Sequence, residues 1–207
     1  MSHGSIASKV ICTLSLLLPA CGGSQPNAEA PPPAATTEAP SNALPADSST
    51  PQSEAVSPAP PAKKIETTLQ SKSKSKVTGT ATLTETTNGV SVVLVVENLT
   101  PGEHGAHVHE KGDCSAEDAS SAGGHFNPGS HPHALPSGTP RHLGDLGNIT
   151  ADKDGKAKLE IIALGANLKD SDPSSFVGRS IVIHEKKDDG GQPTGNAGGR
   201  VACAEIK

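Results

Sequence analysis

Six histidines and one aspartate in the second half of this 207-residue chain are spaced to suit two metal ions: His107, His109, His125, His133, His142, Asp145 and His184. Two four-coordinate ions need eight donor atoms, and these are seven side chains. The count closes if one imidazole uses both ring nitrogens and bridges the ions. Imidazole suits copper and zinc, and loop donors that include a carboxylate suit a closed zinc site. A redox metal beside a structural metal is therefore the leading chemistry. The plainer alternative is a histidine-rich tract that binds metal loosely. Seven of the nine histidines do fall between His104 and His142. That alternative leaves unexplained why Asp145 and the distant His184 stand where separate strands would bring them in.

The elements that must position these donors read as strands. His107-Val108-His109 has strand spacing, so both imidazoles project from one face. His184 ends the run Ile181-Val182-Ile183-His184, whose apolar members belong to a core, so its ring is expected to face away from that core. His125, His133 and His142 lie in residues 111–144, a stretch rich in Gly, Pro, Ser and His with no periodicity. A loop so long in a compact domain is functional or disordered, and its donors argue for function. Residues 186–199 form a second long loop. Further strands are expected at 77–85, where Val77, Gly79, Ala81 and Leu83 alternate with threonines, and at 90–99 beyond the tight turn Asn88-Gly89. Others are expected at 104–110, 145–150, 156–162, 179–185 and 200–206, with no helix beyond a turn or two. The pattern is that of an all-β, Greek-key, immunoglobulin-like β-sandwich or barrel with two long functional loops.

Residues 1–20 read as an export signal: Lys9 precedes an apolar run at 10–18 that is too short to span a bilayer. Leu18-Pro19-Ala20-Cys21 resembles a bacterial lipobox, which makes Cys21 a lipidation site and a membrane anchor. A plain signal with a chance cysteine is the alternative. Residues 21–63, mostly Pro, Ala, Ser, Thr and Glu, read as a disordered tether. Lys63, Lys64, Lys72, Lys74 and Lys76 read as a solvated basic edge rather than a lipid or polysaccharide contact. Residues 64–207 suffice for one domain. The net charge is −5, and −6 once Lys9 departs with the signal. An acidic chain without Trp or Tyr is a poor match for nucleic acid. With Cys12 in the signal and Cys21 lipidated, Cys114 and Cys203 remain as an even pair in an exported domain. A disulfide is expected, worth about 4–5 kcal/mol on the chain-entropy account, with two buried free thiols as the alternative. The only aromatic residues, Phe126 and Phe176, imply a modest core that such a staple would help.

Residues 102–110 (GEHGAHVHE), 124–128 (GHFNP), 141–148 (RHLGDLGN), 182–186 (VIHEK) and 195–203 (GNAGGRVAC) resemble, in order, the motifs of the copper/zinc superoxide dismutases. The resemblance covers nearly all of residues 77–207. It implies copper ligands His107, His109, His125 and His184, and zinc ligands His125, His133, His142 and Asp145, with His125 as the bridge. It selects His133 over the neighbouring His131 and gives His104 a backbone-bonding role. It makes Asp188 the carboxylate linking a copper ligand to a zinc ligand. Arg200 would hold the anionic substrate, Thr194 would narrow the channel opposite, and a Cys114–Cys203 bridge would position Arg200.

The resemblance implies disproportionation of superoxide to oxygen and hydrogen peroxide, with copper cycling its charge and His125 carrying a proton. The signal and lipobox place the domain outside the cytoplasm, in the periplasm or at the cell surface, and the resemblance admits a homodimer. A copper-binding lipoprotein that sequesters or delivers copper without turnover is the alternative from another class. Storage needs neither Arg200 nor Thr194 nor a zinc half. Two departures stand out. Ala106 occupies a position that is usually Phe, which implies a cavity or repacking. The loop at 186–199 is shorter than in animal cytosolic relatives, so its steering charges differ.

Overall fold

The computed structural model describes residues 62–207. The expected signal, Cys21 and nearly all of the expected tether lie outside the described residues. Eight strands follow in chain order: β1 (Lys64–Ser71), β2 (Thr78–Glu85), β3 (Gly89–Glu97), β4 (Gly102–His109), β5 (Asp145–Ala151), β6 (Ala157–Leu164), β7 (Ser180–His184) and β8 (Arg200–Glu205). They close into one antiparallel barrel in the order β1-β2-β3-β6-β5-β4-β7-β8. The only helical piece among the described residues is the single turn Ser120–Ala122. The all-β barrel with two long loops is as the patterning requires.

Alternation decides which side chains fill the barrel. Val90, Val92, Leu94 and Val96 of β3 point inward and are buried, while Val95 faces out. Ala81 and Leu83 of β2 join them, as do Ile181 and Ile183 of β7. Phe126 and Phe176 meet edge to face, with ring centroids 6.0 Å apart. Ala106 is fully buried in this same continuous core.

β1 was not expected. Its apolar content is Ile65 and Leu69 alone, set among Lys, Glu and Thr, so its hydrophobic alternation is faint. Pairing supplies what patterning lacks, because β1 is bonded to β2 along most of its length and to β8 at Gln70 and Ser71. The basic edge needs one correction. Lys63, Lys64, Lys74 and Lys76 are exposed, but Lys72 is buried and its Nζ donates to the carbonyl of Cys114. A buried ammonium requires such an acceptor.

The registers turn the donors outward. Across β4 and β7, Ala106 pairs with Ile183 and Val108 with Ile181 on the core side. His107 and His109 therefore project from the opposite face, as does His184 at the end of β7. Register shifts fall at Ala106/His107 between β4 and β5 and at Ile183/His184 between β7 and β8. Irregularities of this kind re-aim a side chain beside a site. Cys114 and Cys203 are joined in a disulfide, which closes the free-thiol alternative. With Ala119, Ala122 and Val182 they form a small buried cluster apart from the main core.

Candidate metal centre

The loop at 111–144 is pinned to the far end of β4. Phe126 donates to the carbonyl of Val108 (2.8 Å), and Val108 donates to that of Gly144 (2.8 Å). A Cβ on Gly144 would lie 2.2 Å from the Val108 oxygen, so only glycine allows the approach. His125 is thereby bridged to His109, and His142 and Asp145 are brought alongside.

Two buried groups of donors result. His107, His109, His125 and His184 form one, and His125, His133, His142 and Asp145 the other; within each, one donor atom per residue lies within 4.8 Å of the rest. His125 belongs to both. Its Nδ1 is 3.0 Å from Asp145 Oδ1, in the second group. Its Nε2 is buried without a hydrogen-bond partner.

The outer ring nitrogens orient the rest. His107 Nε2 lies 2.8 Å from Asp188 Oδ2, and His133 Nε2 lies 3.0 Å from Asp188 Oδ1. His109 Nδ1 is 3.0 Å from the carbonyl of Gly123, and His184 Nδ1 is 3.3 Å from that of Gly198. A carbonyl or ionised carboxylate only accepts, so each of these nitrogens donates and the opposite nitrogen presents a bare lone pair. His107 Nδ1 and His133 Nδ1 are indeed buried without a hydrogen-bond partner. His109 Nε2 and His184 Nε2 face each other at 3.4 Å.

In the second group three imidazole nitrogens converge on one oxygen. His125, His133 and His142 Nδ1 lie 3.0, 3.0 and 3.1 Å from Asp145 Oδ1. The His133 contact is close but not aligned as a hydrogen bond. A tetrahedron with zinc-like bonds of about 2.0 Å has donor-to-donor edges of roughly 3.3 Å. The three contacts lie just inside that edge, so Asp145 Oδ1 and the three nitrogens are gathered as closely as a tetrahedral zinc site requires, and the His125 and His142 contacts are also hydrogen bonds. The other oxygen of Asp145 is tied to the backbone N–H groups of Ala134 (3.2 Å) and His142 (3.1 Å).

Protonation favours metal in both groups. Burial pushes His107 down to about 4 and His184 to about 3, and it pushes His109 well below the usual imidazole range. These rings are neutral at neutral pH. For Asp145, burial alone would raise the pKa, but the bonds from His125 and the Ala134 N–H and the nearby His133 and His142 outweigh it and keep it ionised. Asp188 is held well below the usual carboxylate range, its burial outweighed by His107, His133 and the N–H of Gly190.

Every expected donor is present in one group or the other. His131 is in neither: it is exposed, and its backbone is held by the Asn127 side chain. His104 bonds backbone, its ring nitrogens lying 2.9 Å from the His184 carbonyl and 2.8 Å from that of Thr100. Arg200 Nη1 donates to the carbonyl of Ala119 (2.6 Å) and Nη2 to that of Gly123 (2.7 Å). Thr194 is exposed in the second loop.

Three residues with positioning roles were not read from sequence. Asn148 clamps Asp188, accepting from its N–H and donating to its carbonyl, both at 2.8 Å. Gln192 does the same to the backbone of His133, at 3.1 and 2.7 Å. Gly195 leaves room for the carboxylate, since a Cβ there would lie 2.0 Å from Asp188 Oδ1 and 2.8 Å from His133 Nε2.

The fold and these groups define a barrel that carries two buried sets of candidate metal donors sharing one imidazole. The sequence profile described as copper/zinc superoxide dismutase matches residues 77–206, and the chain belongs to that family of oxidoreductases. Copper and zinc, the family's metals, fit the two sets. An extracellular superoxide dismutase [Cu-Zn] of Brugia pahangi is 42% identical over 140 residues, covering 63% of this chain and 69% of the relative. Among solved structures, the clock protein EA4 matches with a TM-score of 0.62 at 38% identity, covering 70% of this chain and 94% of EA4. A SOD-like protein from Bacillus subtilis matches with a TM-score of 0.62 at 31% identity, covering 69% and 98%.

Proposed function

We propose that this protein disproportionates superoxide outside the cytoplasm, with copper held by His107, His109, His125 and His184 and zinc by His125, His133, His142 and Asp145. The observation that carries the reading is His125, which belongs to both of two otherwise complete donor sets, with Nδ1 beside Asp145 and Nε2 buried and unpartnered. The extracellular relative from Brugia pahangi supports the location. Bound copper would supply the one-electron exchange that oxidises one superoxide to oxygen and reduces another, with two protons, to hydrogen peroxide, while zinc would keep the shared imidazole in place.

The side chains divide the remaining work. His125 Nε2 is the atom that would hold a proton for the product. Asp145 and Asp188 fix the rings through carboxylates that are themselves tied to backbone N–H groups. Arg200 spends two of its five N–H groups on carbonyls and keeps the others for an anion. Its charge, added to those of the metals, would make a positive well in an acidic protein and steer superoxide inward. Thr194 would border that entrance. A copper carrier without turnover needs no second donor set and no fixed guanidinium. The lipid anchor at Cys21, the tether that would extend the domain from a membrane, and a homodimeric assembly belong to the same proposal.

The deciding experiment is superoxide disappearance with copper- and zinc-loaded protein, repeated after selective removal of copper. Activity is expected to vanish with copper and return on its addition. Activity that survives copper removal would overturn the reading.

A further inference from the structure

The connection between β1 and β2 reaches well beyond a turn. Lys72 N donates to the Val201 carbonyl (2.9 Å) and Ser73 N to that of Glu117 (2.8 Å). Ser73 Oγ donates to the Arg200 carbonyl (2.8 Å) and Ser75 Oγ to that of Val201 (2.6 Å). The buried Nζ of Lys72 donates to the carbonyl of Cys114. All five bonds end on two segments, the disulfide loop (the stretch of the 111–144 loop that begins at Cys114) and the start of β8. Those are the segments that hold Arg200: its backbone begins β8, and its guanidinium is bonded to Ala119 and Gly123 of the loop.

We propose that Ser73 and Lys72 are positioning residues for Arg200, forming a strap that sets the distance between its backbone and the carbonyls on which its guanidinium rests. Ser73 is the closing member. Its hydroxyl holds the carbonyl of Arg200 while its N–H holds Glu117, two residues before Ala119. The disulfide does not set this distance alone, because Cys203 lies three residues beyond Arg200 and Cys114 three before Glu117. The backbone turns tightly at the strap. Ser73 and Lys74 adopt φ of 52° and 61°, the left-handed pair of a tight turn closed by Ser75 N–H on the Lys72 carbonyl (2.9 Å), here without the glycine such turns favour. Lys72 anchors the strap from below by placing its ammonium on the disulfide loop.

The proposal rests on Arg200 guiding superoxide, and the test separates the two. In copper- and zinc-loaded full-length protein, Ser73→Ala and Lys72→Met are compared with Ser73→Thr and Arg200→Ala, and each strap substitution is repeated in the Arg200→Ala background. The readouts are kcat/KM for superoxide, affinity for azide as a small-anion probe by optical titration, metal content and Tm. Ser73→Ala and Lys72→Met are each expected to lower kcat/KM and azide affinity about three- to fivefold, the scale of one lost hydrogen bond, at unchanged metal content. Ser73→Thr keeps the hydroxyl and should retain both quantities. Without Arg200 the strap substitutions should add nothing. Ser73 is exposed, so its alanine variant should fold even if the lysine variant does not. A lower Tm with kcat/KM and azide affinity unchanged would overturn the proposal, as would an equal loss in the Arg200→Ala background. If Arg200→Ala itself changes neither quantity, the role of Arg200 fails and the strap proposal fails with it.

Discussion

His109 and Arg200 meet on one oxygen. The carbonyl of Gly123 accepts from His109 Nδ1 at 3.0 Å and from Arg200 Nη2 at 2.7 Å. One peptide group thus orients both a donor of the first set and the guanidinium of Arg200. A movement of Gly123 that tilts the ring also moves the charge.

Arg200→Lys separates charge from fork geometry. Lysine keeps the positive charge but loses the paired bonds to Ala119 and Gly123. We expect Arg200→Ala to lower kcat/KM by about tenfold and to flatten its dependence on ionic strength, with Arg200→Lys in between. Rates measured across a salt series check this. Equal rates in all three proteins would remove Arg200 from substrate guidance.

Asp188→Asn keeps the shape but removes a charge that serves His107 and His133 together. Partners of this kind are worth about 10- to 100-fold in metal affinity. Competition with a chelator should show weakened binding of both metals in this one variant. Loss confined to one metal would show that Asp188 serves only one set.

Gly195→Ala should reproduce much of that effect without touching a donor. The added methyl would occupy the position of the Asp188 carboxylate and press on His133. Chelator competition on Gly195→Ala, compared with Gly178→Ala, a glycine of the same φ with open space at its Cβ position, checks it. Wild-type affinity in Gly195→Ala would mean that the second loop gives way freely there.

The metal-free protein should lose stability in acid. His107 has a pKa of about 4 when folded, against about 6.5 in an unfolded chain. Between those values the unfolded state binds more protons, so the contribution is complete above about 6.5 and is lost as pH falls toward 4. His184, at about 3, continues the loss, and the depressed carboxyl of Asp188 adds to it at lower pH. Denaturant unfolding of metal-free protein at pH 7, 5.5 and 4.5 should give steadily falling midpoints. A flat profile over that range would contradict the neutral, buried rings.

Cys114→Ser should cost about 2–5 kcal/mol of stability, the range for removing a native disulfide. Thermal melts with metals bound check the loss. The same substitution should loosen the Ala119 and Gly123 carbonyls, so anion affinity should fall along with Tm.

Much of this was legible because it is local or countable. Alternation exposed β2, a β-branched run exposed β3, Asn88-Gly89 marked their hairpin, and a donor count of seven demanded a shared imidazole. β1 was not legible because two apolar side chains make no pattern, and its stability comes from partners distant in sequence. Asn148 and Gln192 were missed for a related reason. They clamp backbone 40 and 59 residues away, and nothing in a local stretch announces such a bond. Gly195 left a fainter mark. A glycine beside Asn196 signals a turn, but not that a carboxylate fills the space its missing side chain leaves.

The outward register of His107, His109 and His184 has a consequence for the order of assembly. The continuous apolar core contains none of the metal donors. The apolar core of the barrel therefore needs no ion in order to close, and metallation can follow it. A chain threaded across a membrane in unfolded form would need to carry no metal with it, and would take up its ions from the compartment in which it comes to rest.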